Sequence, residues 1–504
     1  MPKFYLTTAI DYSNGEPHLG HALEKIGADC IARYRRLRGD QVHFLMGMDE
    51  NAQKVAQAAE QAGVPTAEWV RSLADRFDAT WRRLLCTHDD WIRTTEPRHH
   101  RGTIALIERI RGRSPEDVYT GVYEGLYCLG CEEFKQEAQI VNGRCEEHPN
   151  LELVHTREQN YFFRLSRYRD EILRRIRSGD LAVEPAIRRN EVLRVLEAGL
   201  QDISISRQRL SWGIPFPGDP DQTVYVWFDA LINYLSATGF PEPGYDRLWP
   251  ADLHVIGKGI TRFHCIIWPA MLLSAGLPLP RKVWAHGYVQ WSGAKVSKSA
   301  GTAVSLDEAV ERHGPDALRY FLLREVGFEA DGNFTWERFD ERYTADLADG
   351  LGNLASRSLA MIDRYRGGSV PDAGTATRLE KMGQACVRRY VEAMDRLDLR
   401  AGADAAWDLV SRANLYIQQT TPWTLAKEGK DRDLDEVLGS LGRCLYRLTV
   451  LVSPFVPGKA QALWQALGQV GESAAAQWDS LDRPPVAGTA TRKPEVLFPK
   501  PTPA

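Results

Sequence analysis

The stretch Phe4-Tyr-Leu-Thr-Thr-Ala-Ile-Asp-Tyr-Ser-Asn-Gly-Glu-Pro-His-Leu-Gly-His21 sets the reading of the chain. Its first half, Phe4 to Ile10, is an apolar run that reads as a buried strand. Asn14-Gly15 and Pro17 break that strand. Leu19, Leu23, Ile26, Cys30, Ile31, Tyr34 and Leu37 then recur at helical spacing, which predicts a helix over 19–38. His18 and His21 therefore flank Gly20 in the first turn of a helix that follows a strand. Backbone N–H groups there lack intrahelical partners and attract anions. The same pattern also fits a helix start that merely carries two surface histidines. Gln41–Met46 reads as a second buried strand ending near Asp49, and 51–61 as a second helix. Strand, helix, strand, helix with short connections predicts a parallel α/β sheet whose ligands sit at the strands' carboxyl ends. Asp49 lies at such an end, and it also suits the N-cap of the helix after it.

The chain has 504 residues, with 43% hydrophobic and 26% charged side chains. That composition belongs to a soluble globular protein of two to four domains. A net charge of −4 gives no global sign of nucleic-acid binding. Any RNA contact would come from local basic runs such as Arg33–Arg38 or the arginines between Arg164 and Arg177. No apolar run is long enough to span a membrane. The start of the chain runs into a strand rather than a signal peptide, so the expected location is the cytoplasm. Cys30, Cys86, Cys265, Cys386 and Cys444 are scattered through helical or apolar contexts, as reduced core thiols would be.

The other cysteines are not scattered. Cys128-Leu-Gly-Cys131, thirteen further residues and Cys145-Glu-Glu-His148 give three thiolates and one imidazole. This is a complete tetrahedral set for zinc, with no open position, so the expected ion is structural. Unligated cysteines and a disulfide are the alternatives. Before this quartet, 117–127 alternates like a hairpin with glycine at its turn. Beyond it, 224–227 and 253–257 read as strands resuming the sheet, and 261–273 as a helix. The segment 283–289 leads to Lys295-Val-Ser-Lys-Ser299, a polar loop with two lysines three apart. From about Tyr343 onward the apolar spacing is helical and predicts a helix bundle joined to the rest.

His18-Leu-Gly-His21, the Lys295–Ser299 loop, Val224-Tyr-Val-Trp-Phe-Asp-Ala230 and the Cys/His quartet occur in that order. Together they resemble the class I aminoacyl-tRNA synthetases, and among them the methionyl-tRNA synthetases, over essentially the whole chain. The resemblance implies a Rossmann-type catalytic domain in two halves, 1–114 and 216–300. Between them, 115–215 would be a connective insertion whose zinc knuckle spans 128–148. A stem contact region at 301–342 and an α-helical anticodon-binding domain at 343–504 would follow.

The resemblance also assigns residues. His18, Gly20, His21, Gly257, Lys295 and Lys298 would bind ATP, with magnesium accompanying the nucleotide. His18, His21, Lys295, Lys298 and Arg207 would serve catalysis, although Arg207 fits a structural salt bridge equally. Asp49 would receive the α-ammonium of L-methionine. Ile10, Tyr12, Trp227, Ala230 and Leu231, with Tyr234, Phe263 and His264, would hold its thioether. Asn353, Arg357 and Trp423 would read the CAU anticodon of tRNA(Met), though each also fits an ordinary bundle. Cys128, Cys131, Cys145 and His148 would hold one zinc ion of the single-knuckle type. The chain closes soon after the bundle, which favours a monomer.

Three residues depart from the family's usual pattern. Glycine stands at 259 where an aspartate usually follows Gly-Lys, removing a carboxylate that could bind the ATP ribose. Asp11 replaces an apolar or aromatic residue, and Val296 replaces a methionine. Val296 is conservative, whereas Gly259 and Asp11 also fit a specialised second copy, such as an inhibitor-resistant form. The rival readings are a synthetase for another apolar amino acid, a paralogue activating an amino acid for a metabolic product, and a non-catalytic RNA-binding or interaction protein on the same scaffold. Intact His18, His21, Lys295 and Lys298 argue for the enzyme.

Overall fold

The computed structural model describes residues 2–500 apart from 14, 129, 131–132, 136–139, 147–148, 209, 211, 292–293, 296–304, 375–376 and 493–494. Six strands, β1 (Lys3–Thr8), β2 (Gln41–Asp49), β3 (Asp90–Arg93), β4 (Ala182–Glu184), β5 (Leu253–Gly257) and β6 (Lys282–His286), and a seventh of two residues, Asp11–Tyr12, which pairs with the end of β2, form one parallel sheet. The numbered strands run in the order β4-β6-β5-β1-β2-β3. Continuous apolar runs make these strands because both faces are covered. Tyr5, Leu6, Phe44, Leu45, Met46, Val255 and Ile256 are all fully buried. From β1 the chain moves outward to β2 and β3, then resumes on the other side with β5 and β6. The direction therefore reverses between β1 and β5, and a crevice opens there beyond the strand ends. The helix α1 (Leu19–Leu37) follows β1 and is buried along most of its length.

Three expectations change. The segment 117–127 is not a hairpin but one long strand, Val118–Cys128, paired antiparallel with Leu153–Phe163 along its whole length. Its glycines make room for rings rather than a turn. A Cβ on Gly121 would stand 3.2 Å from Phe162, and one on Gly125 3.0 Å from Tyr123. The cysteine pattern thus occupies the connection at the far end of this arm. The stretch 224–227 does not resume the parallel sheet either. Val224 ends the antiparallel strand Asp219–Val224, and Val226–Leu231 is helical. There Trp227, Ala230 and Leu231 share one face at helical spacing, a pattern easily mistaken for a short buried strand. Finally, the span read as an insertion, 115–215, is not separate throughout, because β4 lies inside it and pairs with β6.

Helices Asn353–Arg366, Arg378–Asp395, Leu399–Thr420, Asp431–Val452 and Pro457–Ala466 form the predicted bundle. It shares a continuous apolar core with one face of the sheet, which includes Leu23, Ile26, Phe321, Leu351 and Leu441. A buried ionic clasp lies in the same place. Arg319 and Asp29 are both inaccessible to solvent, and their side chains meet at 2.6 Å. Arg319 also donates to the carbonyls of Leu84 at 3.0 Å and Pro454 at 2.9 Å. Asp29 accepts from Arg33 and from both the amide and the hydroxyl of Thr87. Burial alone would raise the Asp29 pKa, but Arg33 and Arg319 outweigh it and hold the carboxyl well below its usual range. Among the described residues, no helix is long and apolar enough to cross a membrane.

Breaking a buried pair from one side leaves an uncompensated charge. Arg319→Ala should therefore cost about 3–5 kcal/mol in urea denaturation. Loss of the exposed pair Arg82–Asp78 should cost under about 1 kcal/mol. Because the Asp29 pKa is depressed by folding, its contribution is present above the unfolded value of about 4 and drains as pH falls below it.

Candidate active site

A cavity of about 350 Å³ opens at the carboxyl ends of β1, β2, β5 and β6, between the two directions of the sheet. His18 and His21 form one wall. His18 is the N-cap of α1, in extended conformation, and its Nδ1 accepts from the Gly20 amide at 3.1 Å. In return, Nδ1 of His21 accepts from the His18 amide at 3.3 Å. This is a reciprocal capping box built with imidazoles. Accepting at Nδ1 places the proton of each neutral ring on Nε2. Both histidines thus carry an N–H donor on the side of the ring away from the helix backbone. Their rings stack at 3.8 Å between centroids. A Cβ on Gly20 would press on the His18 ring at 3.0 Å, so the glycine between the histidines lets them pack this way.

Beneath them runs a buried charge chain. Lys25, 1% exposed, pairs with Asp11 and with Glu24, each at 2.8 Å, and donates to the Ala9 carbonyl at 2.7 Å. Trp81 donates to the other oxygen of Asp11 at 3.1 Å. Glu24 meets His286 Nε2 at 3.1 Å. Burial pushes Asp11 up to about 6 in spite of Lys25, while Lys25 is raised by its two carboxylates. At neutral pH the three charges coexist as an ionised cluster. Asp11, the residue that departs from the expected pattern, thus has its own counter-ion one helix away.

The opposite wall is aromatic. Trp227 and Phe263 stack at 4.2 Å. Tyr234 donates to Nε2 of His264 at 2.7 Å, and His264 Nδ1 lies 3.0 Å from the Ile260 carbonyl. Burial lowers His264 to about 4, so it is a neutral ring with a fixed tautomer. Ile10, Tyr12, Ala230 and Leu231 also line this side. Phe263 joins this side through its stacking on Trp227. Asp49, 4% exposed, lines the cavity at the end of β2. It does not cap the next helix, which starts after Ala52 with no side-chain cap.

Other expected residues lie elsewhere. Arg207 is buried outside the cavity lining. It donates to Ser204 Oγ and the Ser206 carbonyl and stands over the Tyr225 ring at 4.0 Å. Lys295 ends a short strand pairing with 290–291, but its side chain, and all of Lys298, lie outside the described residues. So do Cys131 and His148. Cys128 and Cys145 are both buried, and no cluster of three metal-ligating side chains occurs among the described residues. Asn353 is exposed and Arg357 half-buried on one face of their helix. Trp423 is 45% exposed, which is unusual for a tryptophan of an ordinary core. Sequence reading missed Glu24, His286 and Tyr288 at the cavity and Lys25 in the charge chain beneath it. For Glu24 a signal existed, since His18, His21 and Glu24 recur three apart and share a helix face.

A family model described as "tRNA synthetases class I (M)" matches residues 4–152 and 149–359, and "Anticodon binding domain of methionyl tRNA ligase" matches 367–503. The methionine–tRNA ligase of Thermotoga maritima is 42% identical over 92% of this chain and 75% of its own length. That of Streptomyces coelicolor is 38% identical over 99% of this chain and 96% of its own. A solved structure of Mycobacterium tuberculosis methionyl-tRNA synthetase in complex with methionyl-adenylate superposes with a TM-score of 0.94. That match has 39% identity and covers 99% of this chain and 100% of the other. On sequence and on fold, the chain belongs to the methionyl-tRNA synthetases of class I.

Proposed function

We propose that this protein activates L-methionine with ATP and transfers it to the 3′ end of tRNA(Met). The observation that carries the reading is the pair His18 and His21, at a helix N-terminus and with Nδ1 occupied by backbone amides, lining one cavity together with an aromatic slot. Activation needs no general base, because the attacking carboxylate is already ionised. A carboxylate oxygen bonds to the α-phosphorus of ATP and pyrophosphate departs. The chain must then align the reactants and stabilise the extra charge on the phosphate. His18 and His21 supply N–H donors there, reinforced by the partial positive charge of the helix start. Lys295 and Lys298 suit the leaving pyrophosphate, and magnesium bound by the phosphates neutralises part of their charge. In the second step a ribose hydroxyl of the tRNA attacks the carbonyl carbon and AMP leaves.

Asp49 suits the α-ammonium, and the slot formed by Ile10, Tyr12, Trp227, Ala230, Leu231 and Tyr234 suits the thioether through sulfur–aromatic contact. A neutral His264, locked by Tyr234 and Ile260, keeps that slot uncharged. The location of Arg207 away from the cavity supports a structural role, placing the insertion's strands against Tyr225. Exposed Asn353 and Trp423, with Arg357, suit hydrogen bonding and stacking with unpaired anticodon bases. Two buried thiols at the tip of an arm that otherwise exposes Val122, Val141 and Val154 fit half of a zinc site. Cys131 and His148 would complete it, and the ion would cross-link the tip. The five scattered cysteines are all buried, as expected of reduced thiols in the cytoplasm.

Purified protein should catalyse ATP–pyrophosphate exchange with methionine and with none of the other standard amino acids. His21→Ala should lower that rate by roughly 10²–10³-fold. Exchange with a different amino acid, or none with methionine, would refute the assignment. Elemental analysis should find one zinc per chain. Cys145→Ser should lose the metal and make the arm more sensitive to proteolysis; a metal-free wild-type protein with full activity would contradict the zinc site.

A further inference from the structure

The corner of the cavity beyond β5 and β6 is built from backbone. Gly257, Gly259 and Gly287 line it without a Cβ, and the hydroxyl end of Tyr288 lies beside Gly259. A Cβ placed on Gly259 would lie 2.1 Å from the Tyr288 hydroxyl oxygen and 3.4 Å from the ring carbon that bears it. Any side chain at 259 would therefore occupy the hydroxyl's place. Tyr288 is held from three directions. Its amide donates to Asp331 at 2.9 Å, its carbonyl accepts from Gly332 at 3.0 Å, and Lys258 stands 4.6 Å over the ring. Lys258 is itself fixed to the same Asp331 at 2.7 Å. Gly287 lets the segment run against the 330–331 backbone, since a Cβ there would lie 2.2 Å from Ala330.

We infer that Tyr288 binds the ribose of the nucleotide through its hydroxyl, and that Gly259 is glycine so that this hydroxyl can be there. The inference rests on the proposed ATP site. With phosphates at His18 and His21 and the amino acid in the aromatic slot, the glycine floor is the space left for the nucleoside. Bare backbone lets a sugar approach closely, and a phenol O–H both donates to and accepts from ribose hydroxyls. Gly259 and Tyr288 are then one device. They place an uncharged hydroxyl where a carboxylate at 259 would otherwise project.

The test is methionine-dependent pyrophosphate exchange with ATP, 2′-deoxy-ATP and 3′-deoxy-ATP. Wild type should prefer ATP. Tyr288→Phe should raise the KM for ATP about five- to tenfold, the worth of one neutral hydrogen bond. It should leave the KM for one deoxynucleotide and for methionine unchanged, so that the ribose preference collapses. Gly259→Ala should mimic this loss by displacing the phenol. Added to Tyr288→Phe it should do little more, because the remaining ring carbon tolerates a Cβ at 3.4 Å. Gly259→Asp combined with Tyr288→Phe should restore the preference. Full ribose preference in Tyr288→Phe would overturn the inference and leave the activity assignment intact. A wild type without exchange would overturn both.

Discussion

The reciprocal bonding of His18 and His21 across Gly20 is the constraint on which the site depends. One pair of side chains starts the helix, satisfies two backbone groups and fixes two tautomers. An ordinary Ser-x-x-Glu capping box would start the helix as well, but it would present no pair of N–H donors to a phosphate. Using imidazoles as caps ties the start of α1, and hence its burial against the sheet, to the groups that face the cavity. The topology then places the amino-acid slot and the nucleotide floor on either side, because β1 and β5 part there.

Each of the two departures beside this centre has a neighbouring side chain that answers it. Asp11 would be costly alone in a buried position, but Lys25 and Trp81 bind both of its oxygens. Lys25 in turn links Asp11 to Glu24 and thence to His286, so the charge chain runs under the cavity from β1 to β6. Such a cluster contributes little net stability against an apolar equivalent. Its effect is to set the geometry and polarity of the cavity floor. Gly259 and Tyr288 follow the same logic, one residue yielding volume to the other.

Much of this was legible in the sequence because local patterns carry it. β1, α1, β2 and β5 announce themselves by burial runs and helical spacing, and the histidine motif marks the helix start. The bundle is legible for the same reason. What escaped reading depends on contacts between distant residues. Nothing local shows that Tyr288 lies against Gly259, or that Lys25 turns toward Asp11 rather than solvent. The glycines at 121 and 125 looked like a turn because sequence cannot show that Phe162 and Tyr123 pack over them. The stretch 224–227 looked like a resumed strand because a short apolar run suits either element, and Val226–Leu231 is helical. For Arg207 the sequence left catalysis and a structural salt bridge equally open, and only the fold shows that it meets Ser204 Oγ, the Ser206 carbonyl and the Tyr225 ring.

The most direct test of the account is a crystal structure with a non-hydrolysable analogue of methionyl-adenylate. The account predicts the phosphate surrogate within hydrogen-bonding distance of Nε2 of His18 and His21, the thioether against Trp227 and Tyr234, and the ribose over Gly259. An analogue bound with its phosphate surrogate away from the two histidines would contradict it.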